Sequence, residues 1–241
     1  MSEQTMKFPD LKVVSAFSKR SFGNMSLAYG DTQDSLENRK NFLGSLGIDY
    51  KDLVCAKQVH KSAVRYVRET DRGKGALTYD TAIPDTDALI TNRSNIPLAI
   101  FTADCLSIFL YDTQNNSIGL IDAGWRGIQE NIVAKTLQLM KGEFNTKAKD
   151  LYAGFGPVIR ECCYEVDKGF SNFFSQGLIQ RNNRYYLDLI KISKIQLQDM
   201  GVKDVNIFDC GICTFCQNEE FFSYRKDGKT CGRIMSVIML L

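Results

Sequence analysis

Three short segments hold most of the chemistry this sequence offers: Lys57-Gln58-Val59-His60, Thr102-Ala103-Asp104-Cys105 and Asp122-Ala123-Gly124-Trp125-Arg126-Gly127. His60 is the sole histidine in 241 residues. One imidazole cannot build a multi-histidine metal centre, so a metal or a histidine base must use His60 with partners of other types. Cys105 follows an apolar run that Thr102 and Asp104 interrupt, and a polar break in a core strand needs a reason. Asp122 ends a second apolar run before a glycine-containing turn. Backbone N–H groups at a helix start there, helped by Arg126, would suit an anion. Each segment also has a structural reading. His60 reads as a satisfied core histidine, Cys105 as a small buried hydrophobe, and Asp122–Gly127 as a helix cap beside a surface arginine. The three together say more than each does separately.

Two further clusters lie near the C-terminus. Cys210-x2-Cys213-x2-Cys216 has spacing used for zinc or iron–sulfur ligation. No fourth ligand follows at matching spacing, and no Cys-Pro, so the run alone does not make a metal centre. Phe221-Phe222-Ser223-Tyr224-Arg225-Lys226-Asp227-Gly228 sets aromatics beside cations. It could line a pocket that stacks a base and holds an anion, or be a plain strand-turn signal.

Composition limits the setting of this chemistry. Lys and Arg number 30 against 28 Asp and Glu, which leaves no basic footprint for nucleic acid. At 44% hydrophobic the chain can bury a sizeable core. The polar start, Met1-Ser2-Glu3-Gln4-Thr5, lacks the basic and apolar regions of a signal peptide. The longest apolar stretch, Ile234 to Leu241, falls well short of the ~20 residues of a membrane helix. The eight cysteines then fit a reducing cytoplasm with free thiols. With no repeat, low-complexity tract or Pro-rich linker, a single domain over 1–241 is expected.

The elements that must position these residues mix strands with helices. Leu11 to Phe17 reads as a strand. Asp34 is expected to cap a helix reaching Leu43, with Gly44 ending it. Val54 to Val67 is broadly β-like, with His60 inside it. Pro97–Phe101 and Ser107–Tyr111 are apolar runs on either side of Thr102–Cys105. The turn Asp112–Asn116 joins the second of these to Ile118–Ile121 as a hairpin. After Gly127, residues Ile128, Ile132, Val133, Leu137 and Met140 follow helical spacing up to Gly142. A second helix is expected over Asp188–Met200, stopping at Gly201, and a last strand over Ile234–Leu240. Hairpins with helices packed outside give an α+β class.

Taken in order, ten motifs resemble the YfiH family, whose members have been called polyphenol oxidoreductase laccases and purine nucleoside phosphorylases with adenosine deaminase activity. The motifs are Asn24-Met25-Ser26 with Gly30-Asp31, Asn38-Arg39, Gln58-Val59-His60, Asp87-Ala88-Leu89-Ile90-Thr91 and Thr102-Ala103-Asp104-Cys105. They continue through Ala123-Gly124-Trp125-Arg126-Gly127, Gly156-Pro157, Cys163-Tyr164-Glu165-Val166, Cys213-Thr214 and Phe221-Phe222-Ser223-Tyr224-Arg225. The resemblance implies a four-layer α/β/β/α fold, related to the catalytic domain of a bacterial deamidating toxin. It also implies a zinc site of His, Cys and His. Two of these map onto His60 and Cys105. The third maps onto Asp122, where the family pattern His-Ala-Gly-Trp-Arg-Gly has its histidine.

Aspartate can ligate zinc through oxygen, so a His60–Cys105–Asp122 site with an open fourth position remains chemically sensible. Thiolate and carboxylate together cancel the charge of Zn²⁺, so bound water should be less acidic than in a His-Cys-His site. The oxygen ligand also weakens selection for copper, the alternative metal. As a proton acceptor Asp122 is a weaker base than imidazole, with an unperturbed pKa of ~3.9. The implied substrates are a purine nucleoside (adenosine, inosine or methylthioadenosine) and phosphate. Arg126 and Arg225 are the first candidates to hold phosphate and Arg39 the third, with Ser26 and Tyr224 as further substrate contacts. Asp104 or Asp122 would shuttle a proton. The rivals are a copper polyphenol oxidase, which one imidazole argues against, a cell-wall-precursor amidohydrolase, and a catalytically weakened nucleoside-binding relative.

Overall fold

Buried strands set this architecture. The structure, a computed structural model, describes residues 5, 6, 8, 9 and 12–241. In chain order the elements begin with β1 (Val13–Phe17), α1 (Thr32–Gly44), β2 (Val54–Cys55), β3 (Val64–Tyr66), β4 (Ala88–Thr91) and β5 (Leu98–Thr102). Next come β6 (Leu106–Asp112), β7 (Ser117–Ala123), α2 (Trp125–Gln129), α3 (Ile132–Phe144) and β8 (Leu151–Phe155). The chain continues through β9 (Glu165–Val166), β10 (Leu178–Arg181), β11 (Arg184–Leu187) and α4 (Leu189–Asp199). It ends with β12 (Ile207–Asp209), α5 (Tyr224–Asp227) and β13 (Ile234–Leu240).

Among the described residues the strands form a six-stranded sheet, β12-β8-β6-β7-β4-β3, a four-stranded sheet, β1-β13-β5-β2, and a small sheet, β10-β11-β9. Three buried cores separate four layers. One lies between the six-stranded sheet and α3 and α4, with Ile108, Ile121, Val133 and Leu197. The second lies between the two large sheets, with Phe109, Leu120, Ile100 and Ile238. The third lies between the four-stranded sheet and α1, with Ala99, Val237, Phe42 and Leu43. This is the α/β/β/α order and the α+β class. Strands covered on both faces favour apolar residues on both, so β6, β7 and β13 are buried end to end and read as largely apolar runs rather than alternations.

The layering explains the polar break at Thr102–Cys105. β5 belongs to one large sheet and β6 to the other, and Ala103-Asp104-Cys105 is the crossing between them. Asp104 takes φ 88° at that crossing. The β6–β7 hairpin forms as expected, pairing Leu106 with Ala123 through Asp112 with Ser117.

Several local expectations differ from the structure. The strand read from Leu11 is found from Val13; Leu11 itself, like Met1 to Gln4, lies outside the described residues. Asp31, not Asp34, caps α1, its carboxylate accepting the Asp34 N–H at 3.0 Å. The stretch Val54–Val67 is not one strand: β2 and β3 are separated by a loop that carries His60 at φ 56°. The helix expected after Gly127 starts earlier, at Trp125, and is broken in two where Asn131 adopts φ 61°. The helix placed over Asp188–Met200 forms, with the Asp188 carboxylate accepting the Lys191 N–H at 2.8 Å as its cap. Among the described residues no helix is long and apolar enough to cross a membrane.

Candidate active site and metal centre

Asp122 lies on the face of β7 that points between the two large sheets, one residue before the strand ends, and is 1% exposed. A buried carboxylate must be satisfied, and this one is satisfied only in part. Its Oδ2 accepts Gln58 Nε2 at 2.6 Å and faces His60 Nδ1 at 3.2 Å. Its Oδ1 is buried with no hydrogen-bond partner. Gln58 is itself clamped to β5, accepting the Phe101 N–H at 2.7 Å and donating to the Phe101 carbonyl at 3.0 Å.

The His60 loop is held by a residue that the sequence placed in a motif without a role. Asp87, fully buried, accepts the backbone N–H groups of Val59 and His60 on Oδ1, at 2.8 and 2.7 Å, and that of Lys61 on Oδ2, at 2.9 Å. Those bonds fix the left-handed turn that aims the imidazole at Asp122. The Asp122 hydrogen bond and charge push the His60 imidazole up from its usual value. Burial pushes the Asp87 carboxyl up, against the pull of its three N–H donors.

Cys105 completes the cluster: donor atoms of His60, Cys105 and Asp122 all lie within 4.8 Å of one another. Gly124 makes room for the sulfur, since a Cβ there would stand 2.9 Å from Cys105 Sγ. Burial, then the charges of Asp122 and Asp104, push the Cys105 thiol well above its usual range. Such a thiol is protonated at neutral pH and is a poor free nucleophile. A cation between the three side chains would reverse this by drawing off the proton. The nitrogen, sulfur and oxygen donors, with an unpartnered buried oxygen aimed among them, fit a divalent metal that accepts mixed ligands.

A cleft opens beside this cluster in two arms that share Tyr29, His60, Phe101 and Arg233. The larger spans about 1220 Å³, part of it open to solvent, and is lined by Asp104, Cys105, Arg126, Tyr164, Tyr224 and Arg225, among others. The smaller, about 530 Å³, is lined by Ser26, Arg39, Gln58 and Tyr79, among others. Every site residue expected from the sequence therefore lies on the cleft, except Asp122, which is buried behind His60.

Their roles differ more than the sequence implied. Both Asp104 oxygens are bound within the protein, Oδ1 by Thr214 Oγ1 at 2.6 Å and Oδ2 by the Arg225 N–H at 2.7 Å. Arg39 is buried and donates to the carbonyls of Met25, Gly75 and Ala76, each at 2.8 Å, while lying over the Phe101 ring. Ser26 is buried, its Oγ accepting the Ala28 N–H. Arg126 stacks on Trp125, and Arg225 lies over Tyr164 and donates to the Glu165 carbonyl. Arg233, a residue the sequence reading missed, lies over Tyr29 between the two arms.

Comparison with known proteins adds to this geometry. A family model described as multi-copper polyphenol oxidoreductase laccase matches residues 14–241. The purine nucleoside phosphorylase YlmD of Geobacillus stearothermophilus is 32% identical over 225 residues, covering 89% of this chain and 82% of that protein. The adenosine deaminase RL5 of an unknown prokaryotic organism is 29% identical over 212 residues, covering 84% of this chain and 80% of that protein. The crystal structure of the Bacillus licheniformis hypothetical protein YfiH superposes with a TM-score of 0.91 at 31% identity, covering 95% of this chain and 93% of that one.

Proposed function

The chain belongs to the multi-copper polyphenol oxidoreductase laccase family, also known as YfiH, and from that premise we propose that it is a zinc-dependent purine nucleoside phosphorylase with adenosine deaminase activity. Inosine, adenosine and methylthioadenosine are its proposed nucleosides. The observation that carries this reading is the cluster of His60, Cys105 and Asp122 beside a cleft lined by aromatic rings and arginines. The copper chemistry in the family's description is not carried over. One histidine cannot supply the several imidazoles of a multi-copper cluster.

Phosphorolysis breaks the bond from the ribose C1′ to the base nitrogen and forms a bond from C1′ to a phosphate oxygen. The electron pair of the broken bond leaves with the base, which gains a proton as the phosphate that bonds to C1′ gives one up. Arg126 and Arg225 hold the phosphate, and Arg233, which lines both arms and donates to the Cys231 and Gly232 carbonyls through Nη1 alone, is better placed to join them than Arg39, which is buried, donates to three carbonyls and lines only the smaller arm. Tyr29, Phe101 and Tyr164 offer flat surfaces to a purine. His60, Cys105 and Asp122 would hold the zinc ion, which when bound would supply Lewis acidity. Asp122 accepts the His60 ring hydrogen and orients it. Asp104 positions the Arg225 backbone and Thr214 rather than shuttling a proton, since both of its oxygens are bound.

The test is inosine phosphorolysis by the purified chain, read as phosphate-dependent hypoxanthine release, with Arg126→Ala and Cys105→Ala alongside. Loss of turnover in both variants supports the scheme. Full activity in Arg126→Ala removes Arg126 from it, and a wild-type chain that releases no hypoxanthine overturns the function.

A further inference from the structure

The cysteine run near the C-terminus gains partners in three dimensions. Sulfur atoms of Cys162, Cys163, Cys213 and Cys216 all lie within 4.8 Å of one another. Cys162 Sγ is 3.6 Å from Cys213 Sγ and 3.7 Å from Cys216 Sγ, and Cys163 Sγ is 3.3 Å from Cys216 Sγ. Four thiolates bound to one zinc at ~2.3 Å in a tetrahedron stand about 3.8 Å apart. A multi-iron cluster spreads its cysteines farther, because separate irons take separate thiolates. Ordinary core packing does not account for the group, since Cys162 and Cys216 are exposed. Disulfides do not either: all four thiols are free, and their sulfurs stand well beyond the ~2.05 Å of a bond.

We propose that Cys162, Cys163, Cys213 and Cys216 form a structural site for one zinc ion, which staples the far wall of the cleft. Cys213-x2-Cys216 supplies one pair at a spacing common in zinc sites, and the adjacent Cys162-Cys163 supplies the other. The two pairs come from irregular segments after β8 and β12. Backbone bonds join these segments only locally, from Val158 N to Ile212 O at 3.3 Å and from Thr214 N to Val158 O at 3.0 Å. A metal supplies there the crosslink that a thin core cannot. Zinc with four thiolates carries two net negative charges. Lys226, which donates to the Phe215 carbonyl inside the Cys213–Cys216 turn, and Arg181, which donates to the Glu161 carbonyl beside Cys162, offset them.

The staple would act on the cleft directly. Tyr164, a wall of the larger arm, follows Cys163, and Thr214, which holds Asp104, follows Cys213. The assignment rests on none of the chemistry proposed for His60, Cys105 and Asp122.

The test uses the full chain purified under reducing conditions, with zinc measured by elemental analysis. A His60→Ala/Asp122→Ala variant should keep one zinc per chain, and a Cys162→Ser/Cys216→Ser variant should lose it. Cobalt in place of zinc should give the intense visible and thiolate charge-transfer bands of four-sulfur tetrahedral coordination, which a one-thiolate site cannot produce. If the serine variant fails to fold, alkylation of the wild-type chain decides: zinc should protect these four thiols, and a chelator should expose them. Zinc content indifferent to the serine changes, iron in place of zinc, or thiols equally reactive with and without chelator would overturn the proposal.

Discussion

Replacing Asp87 by asparagine tests the claim that one buried carboxylate holds His60 in place. Hydrogen bonds to a charged acceptor contribute about 1.5–3 kcal/mol and neutral ones about 0.5–1.5 kcal/mol. Asparagine keeps one oxygen, enough for the Val59 and His60 N–H groups, but turns its amide N–H toward that of Lys61. One charged bond is lost and two become neutral, a sum of about 4–6 kcal/mol. Relief of the buried charge, which the raised Asp87 carboxyl signals, returns part of this, leaving about 2–4 kcal/mol. His60 at φ 56° lies in the left-handed region, which costs roughly 1–2 kcal/mol by itself, so the loop has reason to leave once released. A local release of that size corresponds to about a 30- to 1000-fold fall in the competent population. Two assays read it: hydrogen exchange at the Val59, His60 and Lys61 amides, and kcat/KM for inosine phosphorolysis. Exchange should accelerate and kcat/KM should drop by at least about tenfold, with circular dichroism showing the folded chain. Unchanged protection of the three amides would refute the reasoning whatever the activity.

Asp122→His should retain the metal and raise deamination relative to phosphorolysis, because a second imidazole restores net positive charge to the site. If Asp122→His loses the active-site metal, or leaves the ratio of deamination to phosphorolysis unchanged, the three-ligand assignment is wrong. Gly124→Ala meets no backbone strain at φ −72° but sets a methyl 2.9 Å from Cys105 Sγ; the overpacking should cost about 1–3 kcal/mol and show as loss of metal with the fold intact by thermal melting. Arg233→Ala should raise the KM for phosphate more than it lowers kcat, and an unchanged KM would remove Arg233 from the anion site. Although partial burial pushes the other way, Asn218 and Arg20 hold the Asp227 carboxyl below its usual value. Its contribution to stability is therefore present above the unfolded pKa of ~3.9 and lost as pH falls through the lower folded value. Wild type should be more stable than Asp227→Asn at pH 7 in urea melts, and the gap should close in acid.

The strands and their hairpin were legible because their chemistry is local, whereas the four-layer order was implied only by the family resemblance. Apolar runs such as Leu106–Tyr111 and Ile118–Ile121 announce strands covered on both faces, and the turn between them announces the hairpin. The His60 segment misled for the same reason. Val54 to Val67 is rich in small and branched residues, yet Asp87 draws three consecutive N–H groups out of any ladder, and that interaction spans 26 to 28 residues. No periodicity reports such a contact. Arg39 looked like a free cation because its three carbonyl partners come from two other loops. Cys162 and Cys163 looked unrelated to Cys213 and Cys216 because more than 50 residues separate the pairs.

Why one imidazole suffices here follows from where the chain places its carboxylates. Asp87, the residue before β4, and Asp122, on the adjacent β7, are joined by the Asp122 N–H to the Asp87 carbonyl at 2.8 Å. Asp87 is consumed by the backbone of the His60 loop, so it adds no ligand but removes the loop's freedom. Asp122 has one oxygen committed to Gln58 and His60 and one left unpartnered. A histidine at 122 would offer a ring nitrogen to a metal but could not also accept from both Gln58 and His60. Under the proposed function, the aspartate would exchange charge at a bound metal for tighter positioning of the sole imidazole, a trade that would favour phosphorolysis, where anion binding and base protonation matter more than water acidity.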